Sequence, residues 1–266
     1  PTQLFKLRAD DGAPFDWFGH SVAISGTTGI VGAYSSGAAY LFDTTTGKQL
    51  AKLLPNGGAL GNSVAISSAT AIVGAPGDDN SGSAYLFDIS DPANPTQIAK
   101  LLADDGGSFD FFGHSIAISG ATAIVGALGH DDNGYKSGSA YLFDISDPPN
   151  PVQTAKLLAD DGAMLDIFGN SVAISVTTAI VGASGDDDAC PGDPFCNSGS
   201  AYLFDAAAPG TCPWDLDGSG DVNVLDLLAL LAAWGSDPGG PPDFDGDGTV
   251  GILDLLTLLA NWGPCA

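Results

Sequence analysis

The chain has 266 residues, 44% of them hydrophobic, with 7 Lys and Arg against 32 acidic residues and a formal net charge of −25. So few cations exclude nucleic acid and anionic membranes as partners, because phosphate recognition draws on Lys and Arg. No apolar run reaches the length that a membrane helix needs. The length suits a large domain plus a small one. Every acidic residue is Asp, which favours turns and caps where Glu would favour helix, so the composition points to a turn-rich β protein. The chain opens at Pro1 with neither Met nor a leader, as expected of a processed or partial product.

Three lines of sequence then recur four times. FGHSVAIS at 18–25 returns as GNSVAIS at 61–67, FGHSIAIS at 112–119 and FGNSVAIS at 168–175. IVGA stands at 30–33, 72–75, 124–127 and 180–183, and AYLFD at 39–43, 84–88, 140–144 and 201–205. Ser21, Ser63, Ser115 and Ser171 lie 42, 52 and 56 residues apart, the variation falling in Gly/Asp/Asn-rich loops. A further run, at 4–8, 50–54, 98–102 and 154–158, precedes an Asp/Gly turn or its Pro-Asn equivalent. In SVAIS the branched side chains alternate with Ser and Ala, the period of a strand. Four strand-like runs per copy and a period near fifty predict a propeller. The Gly of IVGA marks a close backbone approach or a bulge, and the recurring Tyr40, Tyr85, Tyr141 and Tyr202 read as packing between blades.

The repeat region begins with a run of the fourth kind and ends on AYLFD. Residues 4–8 are therefore expected to complete the last blade. Within one chain this closes a ring and removes its exposed edges; between molecules it builds a head-to-tail fibre. Both remain open at the level of sequence.

The F-G…V-G-A pattern over residues 1–205 resembles the FG-GAP repeats of the integrin α-subunit β-propeller and of many bacterial surface proteins. The resemblance implies a mainly β, four-repeat, four-bladed propeller. Its acidic loops (Asp10-Asp11, Asp104-Asp105, Asp160-Asp161; Asp78-Asp79, Asp131-Asp132, Asp186–Asp188) lack a D-x-D-x-D-G run and read as Asx turns, with calcium as the alternative. His20 and His114 alternate with Asn62 and Asn170 at one repeat position, which suits a turn hydrogen-bonder, while His130 stands in an acidic loop. With no G-x-S-x-G, no H-E-x-x-H and no Glu acid or base, a non-catalytic protein is expected.

Cys190 and Cys196 bracket one short loop, and Cys212 and Cys265 bracket the last part of the chain. The spacings favour two disulfides over a zinc site and so an oxidising, extracytoplasmic setting, secreted or at the cell surface.

Residues 206–211 read as a linker to a small module at 212–266. There two related segments open with oxygen-bearing residues at loop positions 1, 3 and 5, Gly at 6, a carbonyl at 7 and a carboxylate at 12. The first supplies Asp215, Asp217, Ser219, Asp221 and Asp226; the second supplies Asp243, Asp245, Asp247, Thr249 and Asp254. This is the spacing of an EF-hand calcium loop, predicting one Ca²⁺ in each. With Asp at position 12 and a helix only after each loop, the pair resembles a dockerin domain. The module carries no Lys or Arg, so bound Ca²⁺ is expected to be part of its folding. The helices at 224–234 and 252–262 are apolar nearly all round, which calls for cover by a partner or by a larger mutual core with Trp234 and Trp262. By the dockerin resemblance, Val224, Leu225, Ile252 and Leu253 sit where a cohesin module would bind; a neighbouring copy of the chain is the alternative partner. The expected function is a secreted structural or adhesion protein, a propeller joined to a calcium-dependent docking module. The alternatives are a self-polymerising fibre subunit and a dockerin-anchored propeller that binds or degrades glycans.

Overall fold

A computed structural model of the chain describes residues 2–55, 61–175, 178–189, 197–206, 214, 216, 221–236, 242–245 and 247–264, with Asp221 and 263–264 described by backbone only. All four cysteines, and with them the expected disulfides, lie outside the described residues. The chain divides into two compact units, Pro1–Ala206 and Ala207–Ala266, taken here one at a time.

In the first unit each repeat forms an antiparallel sheet in simple up-and-down order. The first blade holds β1 (Phe18–Ser25), β2 (Thr28–Ala33), β3 (Ala38–Asp43) and β4 (Gln49–Leu53); the second holds β5 (Val64–Ser67), β6 (Thr70–Ala75), β7 (Ser83–Asp88) and β8 (Thr96–Leu101). The third holds β9 (Phe112–Ser119), β10 (Thr122–Ala127), β11 (Ser139–Asp144) and β12 (Val152–Leu157); the fourth holds β13 (Phe168–Ser175), β14 (Thr178–Ala183) and β15 (Ser200–Asp205). The sheets are thus three of four strands and one of three. The inner strands follow one another, β5 on β1, β9 on β5 and β13 on β9.

The FG line owes its form to a bulge. Phe112 pairs with Ala127 and Ser115 with Gly126, so Gly113 and His114 are looped out of register, and Gly113 takes φ 90, a region open to glycine at little cost. The same shift recurs in β1 and β13. The IVGA glycine serves the expected close approach: a methyl on Gly126 would overlap the carbonyl oxygen of Gly169 in the next blade. That carbonyl also accepts a hydrogen bond from Ser115 Oγ at 2.7 Å, as Gly113 O does from Ser63 Oγ at 2.8 Å.

Apolar clusters fill each gap between blades. Ile72, Leu86 and Leu101 of the second blade meet Ile116, Val125, Tyr141 and Phe143 of the third, and Ile124, Leu142 and Leu157 of the third meet Phe168, Val181 and Phe204 of the fourth. Tyr85 and Tyr141 are fully buried in clusters shared by two blades, as expected, and Tyr202 packs partly buried between the third and fourth; Tyr40 is fully buried too, but within the first blade and against Leu7 and Ala9. Phe112 and Phe168 stand edge-on or tilted against Tyr141 and Tyr202 at 5.6 Å between centroids.

Residues 4–8 depart from the expectation: they form no strand. Leu7 and Ala9 pack instead on the first blade, against Val31, Tyr40 and Phe42. A strand exists only through its ladder, and the edge that residues 4–8 were expected to fill belongs to β15, at the other end of the row of blades.

In the second unit β16 (Asp221–Val222) pairs with β17 (Gly263–Pro264), and between them lie α1 (Val224–Ala232) and α2 (Ile252–Ala260). Asn223 caps α1 by accepting from Leu225 N at 2.8 Å. Both helices end two residues short of the Trp that the sequence placed in them. Leu230 and Leu258 meet Val222 and Val250 in a small core. Among the described residues no helix is long and apolar enough to cross a membrane.

Candidate functional site

Of the first proposed calcium loop, Asp215, Asp217 and Ser219 lie outside the described residues, as does the side chain of Asp221. Asp226 is fully buried, its Oδ1 accepting from Leu216 N at 2.6 Å and its Oδ2 from Asn223 N at 2.7 Å. The second loop is described more fully. Carboxylate oxygens of Asp243, Asp245 and Asp247 lie within 4.8 Å of one another. Asp254 is not in that group. It sits buried at the start of α2 and accepts from Phe244 N at 2.6 Å, Asp245 N at 3.2 Å and Gly251 N at 2.7 Å. Burial opposes its charge, but these three N–H groups outweigh it and hold the Asp254 carboxyl below the usual range. Asp245 goes the other way: the Asp247 N–H favours its charge, yet burial and the carboxylates of Asp247, Asp254 and Asp243 lift it. Three converging oxygen donors that repel one another are what a hard cation such as Ca²⁺ neutralises, so the donor set fits that ion. Thr249 is exposed, its N–H donating to Asp247 Oδ1 at 2.8 Å.

The outer faces of both helices carry Val224, Leu225 and Leu228, and Ile252, Leu253 and Leu256, each more than half exposed. Trp234 and Trp262 are about half exposed, so they do not enlarge the mutual core as one reading of the sequence had it. The two faces are repeats of each other, as their sequences are.

The acidic loops of the propeller have a use that sequence reasoning missed. Each repeated Tyr hydroxyl donates to an Asp: Tyr40 to Asp11 at 3.0 Å, Tyr85 to Asp78, Tyr141 to Asp105 at 2.9 Å and Tyr202 to Asp186 at 2.6 Å. In three blades a Lys from the fourth strand joins them. Lys52 pairs with Asp11, Lys100 with Asp78 and Asp79, and Lys156 with Asp105 and Asp132. Each ammonium also lies 5.3–5.6 Å from its Tyr ring centroid. The signal was present in the recurring Lys of the AKL run.

His130 is buried in the third of these nests, with Asp105, Asp110 and Asp132 carboxylates at 3.6–3.7 Å from its ring nitrogens. Asp105, His130 and Asp132 have the spacing of a metal site, but the Lys156 ammonium already stands between the two carboxylates. His114 is held by burial below its usual range, a side-chain hydrogen bond to Asn170 partly offsetting this. Asn62 donates to the His114 carbonyl at 2.7 Å. This repeat position links blades, in keeping with the reading of His and Asn there as hydrogen-bonders.

A chain of Kuenenia stuttgartiensis hydrazine synthase superposes with a TM-score of 0.51 at 16% identity, the match covering 76% of this chain and 49% of that one. This chain thus spans about half of that protein's length, and the likeness is one of fold. No curated protein sequence matches the chain. The FG-GAP repeat family matches at residues 1–42, 48–87, 95–143 and 151–204. The second to fourth of these stretches each open one residue before the outer strand of one blade and run into the third strand of the next. Four matched repeats, each supplying an FG bulge or its glycine and a Tyr hydroxyl bonded to an Asp, the first three also a GA close approach to the next blade and a buried Tyr, place the chain in the FG-GAP repeat family.

Proposed function

We propose that the chain is a non-catalytic assembly protein of the cell exterior, in which FG-GAP blades are displayed and a calcium-dependent module docks them onto another protein. The observation that carries this reading is the pairing, in one small unit, of a convergent carboxylate loop with helices whose outer faces are apolar and exposed. Asp243, Asp245 and Asp247 would hold the ion with the Thr249 carbonyl and Asp254, and the duplicated loop would do the same through Asp215, Asp217, Ser219, Asp221 and Asp226. The ion supplies charge neutralisation; it fixes each loop, and so the helix that follows. Val224, Leu225, Ile252 and Leu253 would then form the docking face for a cohesin-like protein surface. The non-catalytic reading is supported by the titratable nests, which recur with the blades and are neutralised by Lys in three of them.

The test is to add Ca²⁺ to chelator-treated protein and follow the second unit by circular dichroism and tryptophan fluorescence. The reading expects helix gain and a higher melting temperature, both diminished in Asp243→Ala/Asp247→Ala and lost when Asp215→Ala/Asp217→Ala is added. An identical signal and melting profile with and without Ca²⁺ contradicts it.

A further inference from the structure

We propose that the open face and edge of the fourth blade are the docking site for the N-terminal segment and first blade of a second copy of this chain, joined head to tail. The inference rests on the propeller alone and does not depend on the calcium loops.

The structure contains the proposed contact three times over, between its own successive blades. In each, an Ile and a Leu on the outgoing face of one blade meet two branched residues on the inner strand of the next. Ile72 and Leu86 are fully buried this way, as are Ile124 and, nearly, Leu142. The equivalent outgoing pair on the fourth blade, Ile180 and Leu203, is 41% and 72% exposed. The equivalent receiving pair on the first blade, Val22 and Ile24, is 69% and 67% exposed. One molecule therefore displays both halves of an interface whose fit it demonstrates internally, and the halves are different surfaces, as a heterologous contact requires.

The backbone lock is also half-made. Gly126 is covered by the Gly169 carbonyl of the next blade, whereas Gly182, its counterpart in the fourth blade, has only its own Ser171 beside it. The bulge glycine of the first blade, Gly19, has nothing within 4 Å of where a Cβ would stand. In the joined pair Gly19 O would seat on Gly182 and accept from Ser171 Oγ.

Charge and register agree. TQLFKLRADDG at 2–12 matches TQIAKLLADDG at 96–106. In the second blade Lys100 lies opposite Tyr85 and Leu101 opposite Ala84, so the same register sets Lys6 opposite Tyr202 and Leu7 opposite Ala201 along the open edge of β15. The segment is already posed for this: Asp10 N bonds Gln49 Oε1 at 2.9 Å as Asp104 N bonds Gln153 Oε1 at 3.1 Å. The fourth blade's Tyr202–Asp186 pair is the one nest of its kind to which no described Lys of the chain is ion-paired. The neighbouring Asp186 charge, burial and Asp161 push the Asp188 carboxyl up. Lys6 of a second copy brings the cation that the other three nests hold.

Sedimentation velocity of the full chain in EDTA tests this. Wild type is expected to form a concentration-dependent series of oligomers. Leu203→Asp, which blocks the fourth blade, and Lys6→Asp/Ile24→Asp, which blocks the first, are each expected to stay monomeric. Their equimolar mixture is expected to give a dimer and nothing larger, since one free end remains on each. Should an Asp variant fail to fold, Gly182→Ala carries the test: it strains no backbone and in the monomer meets only Ser171, whose hydroxyl must rotate aside, yet it is expected to weaken assembly while shifting the melting temperature of the monomer little. Wild type that stays monomeric at every concentration overturns the proposal, as does a mixture that remains monomeric, or a Leu203→Asp protein that assembles like wild type. Assembly that requires Ca²⁺ assigns self-association to the other unit and equally overturns it.

Discussion

Gly169 and Gly19 occupy the same bulge position at φ 83 and φ 91, but only Gly169 has a blade against it. An Ala at either position pays for a backbone region that side chains avoid, on the order of 1–3 kcal/mol. At Gly19 that is the whole effect, since no atom lies within 4 Å of the added methyl. At Gly169 the methyl would overlap the Ser139 carbonyl oxygen and stand 3.2 Å from the Ala127 nitrogen, both backbone atoms of the third blade. The fourth blade must retreat, which gives up the 2.7 Å bond from Ser115 to Gly169 O, roughly 0.5–1.5 kcal/mol, and adds overpacking beside buried Phe168, about 1–3 kcal/mol. The expected totals are about 1–3 kcal/mol for Gly19→Ala and about 2.5–7.5 kcal/mol for Gly169→Ala. At roughly 2–4 °C per kcal/mol for a domain of this size, the propeller transition should fall by about 5 °C in the first and by 10 °C or more in the second. Differential scanning calorimetry of both variants in a Leu203→Asp background, where assembly does not contribute, measures the difference. Equal melting temperatures would refute the argument that glycine here is set by contact between blades.

Other perturbations probe the same architecture. Leu86→Ala, at a fully buried position, should cost about 2–5 kcal/mol, whereas Leu203→Ala in monomeric protein should stay within about 0.5 kcal/mol; urea denaturation giving equal losses would mean the fourth blade's face is covered within one chain. Lys156→Met removes the cation shared by Asp105 and Asp132 and should destabilise by about 1–2 kcal/mol, less than a fully buried pair because Asp105 is nearly half exposed; an unchanged melting temperature contradicts the role given to that nest. Burial raises the Asp78 carboxyl, but Tyr85 and Lys100 outweigh it and leave it below the ordinary 3.8. Its contribution is therefore present above about pH 3.8 and lost as the pH falls further, and Asp78→Asn should flatten the acid limb of the stability profile. Burial and the Asp78 carboxylate push Tyr85 up from 10.0 to about 12, so the native state keeps that proton longer than the unfolded chain. Stability should decline as the pH rises from about 10 towards 12, and Tyr85→Phe should weaken this alkaline loss; a profile identical to wild type would contradict the assignment.

The strands were legible because their pattern repeats: FGHSVAIS, AIVGA and SAYLFD each mark a strand nearly residue for residue. Residues 4–8 carry the same signal and yet form no strand, because composition specifies a strand's preference while a free edge beside it supplies the ladder. The Tyr–Asp–Lys nests were half legible. Tyr and Asp recur in plain view, but their Lys partners lie 12 to 15 residues beyond the Tyr, on the next strand, where only the register of the sheet joins them. His130 had no repeat to announce it; its burial comes from loops that fold over the third blade. In the second unit the loop spacing located Asp243, Asp245 and Asp247 together, while Asp254 turns its oxygens to backbone N–H groups, a detail fixed by the helix start and not by spacing. The apolar helices were read correctly as more apolar than two short helices can bury, and their outer faces are exposed.

The central claim is that the second unit is a calcium-dependent docking module, and isothermal titration calorimetry of Ca²⁺ into chelator-treated full chain addresses it most directly. The account expects one ion bound per loop, with the second loop's site abolished in Asp243→Ala/Asp247→Ala and the propeller's melting unaffected. Wild-type protein that takes up no Ca²⁺ while its helices remain folded would contradict it.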